Sequence, residues 1–310
     1  MNIAITGATG FLGRYLVAKC LETPGLNVKV IARPQENPHA SFLDQVEIFE
    51  SDYSTESLQN ALNGVDCVLH LAAKTLARND DPLQVSNFLP ANVILTENLL
   101  KAASVTSVNK VIQMSSSNVY SANNQLPFKE SEEPKTSTVY GLSKIFSEQV
   151  GLFFARKTNM NIISLRLARL YGFGERDSVV FTRFMKMAMN KQPLVVFGEG
   201  STRIEYLYVK DCVDAILKTM FCDIPSGVYN LGSSESYSVL ELAKIINKTC
   251  GNDGNIKFDF STPETGHDIL MDSSLFRKYC LWEKRWMLEP AIKDMYSLFL
   301  NAKNTDGNHN

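Results

Sequence analysis

Tyr140 and Lys144 stand four residues apart in Tyr140-Gly-Leu-Ser-Lys144, inside a stretch whose pattern predicts a helix. At that spacing both side chains leave one helix face, so an ammonium comes to lie beside a phenol. A free tyrosine titrates near pH ~10, and a positive neighbour favours the phenolate. Lowering that value by ~3 units takes roughly 4 kcal/mol of differential stabilisation. The result would be a proton donor and acceptor usable near neutral pH. Such pairs also occur on ordinary solvated helices, so the meaning of this one depends on what converges with it. A second group of residues is Gly7-Ala-Thr-Gly10-Phe-Leu-Gly13, at the very start of the chain. Glycines between a strand and a helix allow a tight turn and close backbone approach to a pyrophosphate, with helix N–H groups aimed at it. The spacing is a variant of the dinucleotide fingerprint G-x-G-x-x-G.

Positioning these groups requires strands that end beside them. Short β-branched runs alternate with amphipathic stretches through the first half, a βαβ pattern that predicts a parallel sheet. The reading places strands at Ile3–Thr6, Val28–Ala32, Val46–Phe49, Cys67–Leu71, Lys110–Ser115 and Asn161–Leu167, with helices at Leu12–Leu21, Thr55–Leu62, Ala91–Ala103 and Val139–Lys157. Beyond Tyr171-Gly172 the elements shorten: a helix Val179–Asn190, a segment Pro193–Phe197, a loop Gly198–Arg203, a strand Glu205–Val209, and helices Lys210–Phe221, Val239–Cys250 and Glu289–Leu300. The expected architecture is α/β, a Rossmann-type doubly wound parallel sheet with a smaller α/β substrate-binding domain. Residues 1–172, with returning segments near 194–232, would form the NAD(P)-binding domain, and 173–310 mainly the substrate portion.

The 310 residues are 45% hydrophobic and carry a formal net charge of -2, which suits a globular protein and gives no reason to expect nucleic acid. No apolar run approaches the ~20 residues that cross a bilayer. The six cysteines (Cys20, Cys67, Cys212, Cys222, Cys250 and Cys280) are scattered, which reads as free thiols in a reducing cytoplasm. Met1 leads directly into a strand, leaving no room for a targeting peptide. The polar tail Asn301–Asn310 is expected to fray. No His/Cys cluster suggests a metal.

Five ordered motifs, Thr6–Gly13, His70-Leu-Ala-Ala73, Ser115-Ser-Ser-Asn-Val-Tyr120, Tyr140-x-x-x-Lys144 and Tyr171-Gly172, make the chain resemble the extended short-chain dehydrogenase/reductase family, nucleotide-sugar epimerase/dehydratase branch. Tyr229-Asn-Leu-Gly232 and Ser236–Ala243 extend the likeness over nearly the whole chain. The resemblance implies that Ser116 binds the reacting sugar oxygen, Tyr140 shuttles its proton, and Lys144 binds the nicotinamide ribose while holding the tyrosine's pKa down. It further implies cofactor contacts from Gly7, Thr9, Gly10, Phe11, Leu12, Gly13, Leu71, Ala72 and Ala73, with Asp52 at the adenine. Asp52 is read equally well as a turn aspartate, and His70 as structural. The second strand ends in Arg33, with no acid to bond an adenosine ribose, which favours NADP over NAD.

On the substrate side, Ser117 and Asn118 adjoin Ser116, while Arg169 and Arg203 stand near positions where the branch holds a diphosphate. A surface salt bridge accounts for each arginine equally well. Dehydratases of the family carry Asp-Glu where this chain has Ser117-Asn118, so elimination is not expected. Epimerase and 4-ketoreductase both remain, acting on a nucleotide sugar, in an expected homodimer. The alternatives are an NADPH-dependent ketoreductase of a non-nucleotide substrate and a non-catalytic cofactor-sensing protein.

Overall fold

Alternation within single strands sets the layers. In β1 (Asn2–Thr6), Ile3 and Ile5 are buried towards one face and Ala4 towards the other; in β5 (Lys110–Ser116), Ile112 and Val111 divide in the same way. A strand apolar on both sides has to be covered on both sides, and a parallel sheet flanked by helices does this. The computed structural model describes residues 1–34, 45–77 and 80–306. Its main sheet has seven parallel strands: β1, β2 (Asn27–Ala32), β3 (Glu47–Glu50), β4 (Cys67–His70), β5, β6 (Asn161–Leu167) and β10 (Gly227–Leu231), in the order β10-β6-β5-β4-β1-β2-β3. The order turns around between β1 and β4, the crevice where open α/β sheets bind ligands.

On one face lie α1 (Phe11–Leu21) and α6 (Val209–Phe221), packed on Ile3, Ile5, Val30 and Ile112. On the other lie α2 (Thr55–Ala61), α3 (Leu95–Ala103) and α4 (Val139–Lys157). A second core gathers around Phe181, Phe184, Tyr206, Tyr208, Ile246 and Ile292. It joins α5 (Val180–Met189), α7 (Val239–Thr249) and α9 (Leu288–Asp306) to two small sheets. One sheet is β7 (Arg169–Tyr171), β9 (Arg203–Tyr208) and β11 (Ser236–Ser238); the other pairs β8 (Leu194–Phe197) with β12 (Ile256–Asp259). The short helix α8 (Ser274–Cys280) packs beside β10.

The six strands read in the first half and helix α4 stand where the pattern puts them, within a residue or two. Several details differ. Residues Leu89–Ile94 form a π-helical turn, so the regular part of the third helix starts at Leu95 rather than Ala91. The strands β7, β10, β11 and β12 and helix α8 are too short to show a period. Of the returning segment 194–232, α6 and β10 pack on or join the large sheet, whereas β8 and β9 build the small ones. Helix α9 continues through 301–306, into the stretch expected to fray, and residues 307–310 lie outside the described residues.

The cysteines depart from expectation. Cys222, at the end of α6, and Cys280, at the end of α8, form a disulfide with their Cα atoms 5.2 Å apart, while Cys20, Cys67, Cys212 and Cys250 are free and buried. The partners lie 58 residues apart, so only tertiary packing reveals them. Six scattered cysteines are thus not six free thiols, and a reducing compartment does not follow from them. No helix among the described residues is long and apolar enough to cross a membrane.

Glu205 of β9 is fully buried between the sheets. Its two carboxylate oxygens accept the N–H groups of Ser234 (2.6 Å) and Met271 (2.7 Å). Burial pushes its pKa from 4.5 up to about 7, against the pull of those donors. The native state then binds more protons than the unfolded chain between those two values. Stability is thus greatest below the unfolded value and falls as pH rises towards 7, by about 3 kcal/mol from this group. Urea unfolding at pH 5 and pH 7.5 should show this slope in the native protein and a flatter one in Glu205→Gln. Parallel profiles for the two proteins would remove the assignment.

Candidate active site

The glycines at the end of β1 are required by close approach. Gly7 has φ +72°, and a Cβ there would stand 2.6 Å from the Ala72 nitrogen; one at Gly13 would stand 2.2 Å from the Gly7 oxygen. The turn thus presses against the residues that continue β4, placing Gly7 beside Leu71 and Ala72. Gly10 caps α1 without a side-chain acceptor, and the first turn, opening on Phe11 and Leu12, holds no acidic residue. Its N–H groups and the positive end of the helix dipole are left for an anion. Any side chain at Gly7 or Gly13 would collide with the neighbouring backbone and force the turn open, so the tight cradle, of a shape that suits a dinucleotide pyrophosphate, depends on both glycines.

At the neighbouring strand ends, the exposed Arg33 places its guanidinium 5.6 Å from the Tyr53 ring centroid. Asp52 is exposed, and its Oδ1 accepts the Ser54 N–H (2.9 Å), which holds its carboxyl below the usual range. Its hydrogen bond is that of a turn aspartate leading into α2.

His70 belongs to the frame. Thr96 donates its hydroxyl to the Asn92 carbonyl (2.8 Å), so at 3.1 Å it accepts from His70 Nε2. Nδ1 is then the acceptor for the Thr6 hydroxyl (2.7 Å), and Thr6 Oγ1 accepts the Ala72 N–H (3.2 Å). Burial, with the Lys144 charge added, lowers the imidazole pKa to about 3, so the ring stays neutral. The chain of bonds ties β1, β4 and the π-helical turn together and leaves His70 no proton to exchange with a substrate.

Ser116 ends β5, and Tyr140 and Lys144 lie in the first turns of α4. Thr138 caps that helix by accepting the Gly141 N–H (2.9 Å). Gly141 itself lets the helix close on the Ser116 loop: a Cβ there would stand 2.1 Å from both the Asn118 oxygen and Thr136 Oγ1. Thr136 donates to that same oxygen (2.7 Å), and the Asn118 N–H bonds Ser116 Oγ (3.2 Å). Ser116 thereby comes near enough to the Tyr140 hydroxyl for its own hydroxyl to favour the ionised phenol. Lys144, buried, donates to the Met114 carbonyl (2.8 Å), with Nζ 5.9 Å from the Tyr140 ring centroid.

The electrostatics correct one expectation. In the protein alone Lys144 does not bring the phenol towards neutral pH. Burial dominates and pushes Tyr140 up to about 12, opposed by the Ser116 hydroxyl and the Arg176 charge. Lys144 is itself lowered to about 8 by burial, with Glu148 holding it up. At pH 7 the site presents a neutral phenol beside a mostly charged ammonium.

The substrate-side residues divide. Ser117 is buried, and Asn118 is half-buried with its backbone occupied as described. Arg203 is committed elsewhere: it donates to the Ser236 carbonyl (2.7 Å) and pairs with Glu241 (3.0 Å), the residue that completes the capping box of α7. The salt-bridge reading holds for it. Arg169 is exposed on β7; its guanidinium makes no hydrogen bond or ion pair among the described residues, and its charge acts on Tyr206 and His267.

A family model described as the NAD dependent epimerase/dehydratase family matches residues 3–232. The chain belongs to that family. Its fold is similar to that of UDP-N-acetylglucosamine 4-epimerase from Bacillus cereus, at 30% identity and a TM-score of 0.86, covering 97% of this chain and 96% of that one. It superposes equally well, at 23% identity and a TM-score of 0.86, on UDP-glucuronic acid 4-epimerase from Bacillus cereus in complex with UDP-glucuronic acid and NAD, over 97% of this chain and all of that one. In sequence it is 24% identical to dTDP-4-dehydro-6-deoxyglucose reductase of Escherichia coli, over 94% of this chain and 95% of that protein.

Three residues of this epimerase/dehydratase-family chain complete the site without being given a role by its motifs. Gly141 is one. Asn92 is the second: buried in the π-helical turn, it bonds the Lys74 N–H (2.7 Å) and carbonyl (3.0 Å) and Ser143 of α4 (2.8 Å). It holds the loop after β4 against the helix that carries Tyr140. The third is Arg176, in the loop after Tyr171-Gly172, which donates to the Leu76 carbonyl (3.3 Å) and acts electrostatically on Tyr140. An asparagine opening the third helix is a visible sign of the second; nothing local marks the other two.

Proposed function

We propose that the protein interconverts nucleoside-diphosphate hexoses at C4, as a 4-epimerase working through a nicotinamide cofactor. The observation that carries this reading is the convergence of Ser116, Tyr140 and Lys144 at the same strand-end edge of the sheet as the uncapped glycine turn of α1. Gly7–Gly13 would hold the pyrophosphate and Lys144 the ribose hydroxyls. The nicotinamide, when bound, supplies the accepting and returning of hydride at C4. Ser116 bonds the C4 oxygen and keeps it beside Tyr140, whose oxygen gives or takes that oxygen's proton. Ser117 and Asn118 hold no carboxyl group, so elimination of water lacks its acid and base. The epimerases among the similar structures favour epimerisation, and their bound NAD favours that cofactor.

A second reading, 4-ketoreduction with NADPH, is favoured by Arg33 at the end of β2 and by the similarity to the dTDP-sugar reductase. We further take the working unit to be a homodimer joined through α4 and the π-helical turn, where Phe146, Phe153 and Ile94 are exposed.

The deciding experiment offers UDP-, dTDP-, GDP- and CDP-hexoses, and their 4-keto forms, with NAD(H) or NADP(H), following absorbance at 340 nm (the reduced-nicotinamide band) and product configuration. Formation of a C4 epimer with no net change in reduced cofactor is the expected result. Stoichiometric consumption of NADPH by a 4-keto sugar would transfer the assignment to the reductase reading, and no turnover in any arm would end both. In parallel, NAD is expected to raise the melting temperature more than equal NADP. The opposite order would return the choice to Arg33.

A further inference from the structure

Both tryptophans of the chain, Trp282 and Trp286, lie in the connector 281–287 between α8 and α9. The connector is tied at several points. The Leu281 carbonyl accepts Lys218 Nζ (2.7 Å), and the Trp282 ring is buried at 6.0 Å from that of Phe276. Lys284 pairs with Glu235 (2.5 Å), and Asp211 accepts the N–H groups of Arg285 (2.8 Å) and Trp286 (3.1 Å). The Trp286 ring stands edge-on to Tyr208 of β9, 5.3 Å between centroids. The connector thus covers the β7–β9–β11 sheet, and its entry point is the Cys222–Cys280 disulfide.

The two ends of that disulfide are unequal. On the α6 side, Lys110 of β5 donates to the carbonyls of Thr219, Met220 and Cys222 (3.2, 3.1 and 3.0 Å), fastening Cys222 to the main sheet. On the other side, Cys280 ends a helix of seven residues, and Leu281 follows in a left-handed conformation (φ 47°). A groove of about 400 Å³ opens over the two sulfurs, flanked by Asp214, Lys218, Phe221, Glu283 and Arg285. A small thiol can enter there.

We propose that Cys222–Cys280 is a reversible thiol–disulfide exchange site that sets how firmly the connector is held over the small sheet. A thiolate of the entering thiol attacks one sulfur, the S–S bond breaks, and the departing protein thiolate takes up a proton. A second thiol then attacks the mixed disulfide and releases the other cysteine. The protein gains two electrons and two protons, and the two small thiols leave as their own disulfide. Reduction leaves Cys222 fixed by Lys110 and leaves the α8 end of the connector held only by the exposed Lys218 bond to the Leu281 carbonyl and by Trp282 packing, since the Asp211 clamp acts at its far end. The bond closes a loop spanning 58 residues, so opening it relaxes a long constraint on the unfolded chain.

Since the connector holds both tryptophans, their emission reports on the connector, and circular dichroism separates its release from global unfolding. The full-length protein, air-oxidised or treated with dithiothreitol, is labelled with an alkylating reagent and mapped by mass spectrometry, with tryptophan emission, amide exchange and circular dichroism followed in parallel. Cys222 and Cys280 should resist label until reduction and take it afterwards. Emission should then move to longer wavelength, exchange across 281–287 rise by about tenfold or more, and the melting temperature fall by about 5–10 °C, with far-ultraviolet circular dichroism unchanged. Cys222→Ser should show the reduced protein's emission and cease to respond to dithiothreitol. Labelling of both cysteines before reduction would overturn the proposal. So would reduction that leaves emission and exchange where they were, or that unfolds the whole chain.

Discussion

Tyr140→Phe is expected to lower turnover by about 10²–10⁴-fold while leaving the melting temperature and cofactor binding close to those of the native protein. The substitution removes one oxygen from a half-buried ring whose polar partner is Ser116, and Ser116 keeps the Asn118 N–H. The cradle at Gly7–Gly13 and the Lys144 bond to the Met114 carbonyl do not involve the phenol. What disappears is the group that moves the proton of the C4 oxygen. The pH profile gives a second, independent reading. In the protein alone burial pushes the Tyr140 pKa up to about 12, which leaves the proton-donating phenol; taking the C4 proton requires the phenolate, which a bound, positively charged nicotinamide would favour. Lys144, lowered to about 8, loses its charge just above neutral pH. Native turnover should therefore decline above pH 8 with the lysine, and the small residual activity of Tyr140→Phe, which keeps Lys144, should decline over the same range. The measurement is initial rate from pH 6 to 10 on the substrate found in the sugar panel, with cofactor-induced thermal shift as control. Native-like turnover in Tyr140→Phe would exclude the proton role.

Much of this site is legible in the sequence because its chemistry is local. A glycine turn, a tyrosine and lysine one helical turn apart, and a serine at a strand end are short-range patterns, and the βαβ alternation brings them to one sheet edge. What stays hidden depends on distance in sequence. Gly141 looks like a spacer inside the Tyr140–Lys144 motif, yet its missing side chain lets α4 reach the Asn118 loop. The pairing of Cys222 with Cys280 is a result of α6 and α8 ending together. Arg203 can be read towards a phosphate or a salt bridge until α7 brings Glu241 to it. Lys144 shows where spacing misleads. Four residues of separation suggest a cation lowering a phenol's pKa, but the lysine is buried and the tyrosine half-buried, and desolvation moves the tyrosine up and the lysine down.

The same burial makes Glu148→Gln the substitution expected to cost most stability, about 3–5 kcal/mol. Glu148 is 1% exposed on α4, and its carboxylate accepts Arg166 Nε (2.9 Å) and Nη2 (2.7 Å) as well as the Ser115 hydroxyl (2.5 Å). Arg166, equally buried on β6, gives its remaining hydrogen bond to Tyr120 (2.7 Å), which donates to Asn230 of β10 (2.9 Å). The pair thus fastens α4 to three strands of the main sheet. Its two parallel N–H···O bonds have the geometry that makes arginine–carboxylate contacts strong. Taking the charge from Glu148 leaves a guanidinium in the interior without its counter-ion, and the arginine cannot release its proton to compensate. The cost is that of the orphaned charge, so removing both charges should recover most of it: Glu148→Leu with Arg166→Met is expected to be markedly more stable than Glu148→Gln. Urea midpoints of the three proteins at pH 7 test this, and a loss below about 1 kcal/mol in Glu148→Gln would show the pair to be dispensable. Activity adds a further consequence. Glu148 also holds Lys144 charged, so a folded Glu148→Gln protein should show the high-pH decline of turnover shifted to lower pH. That shift separates the electrostatic link to the site from a general loosening of the helix, which would lower the rate at every pH alike.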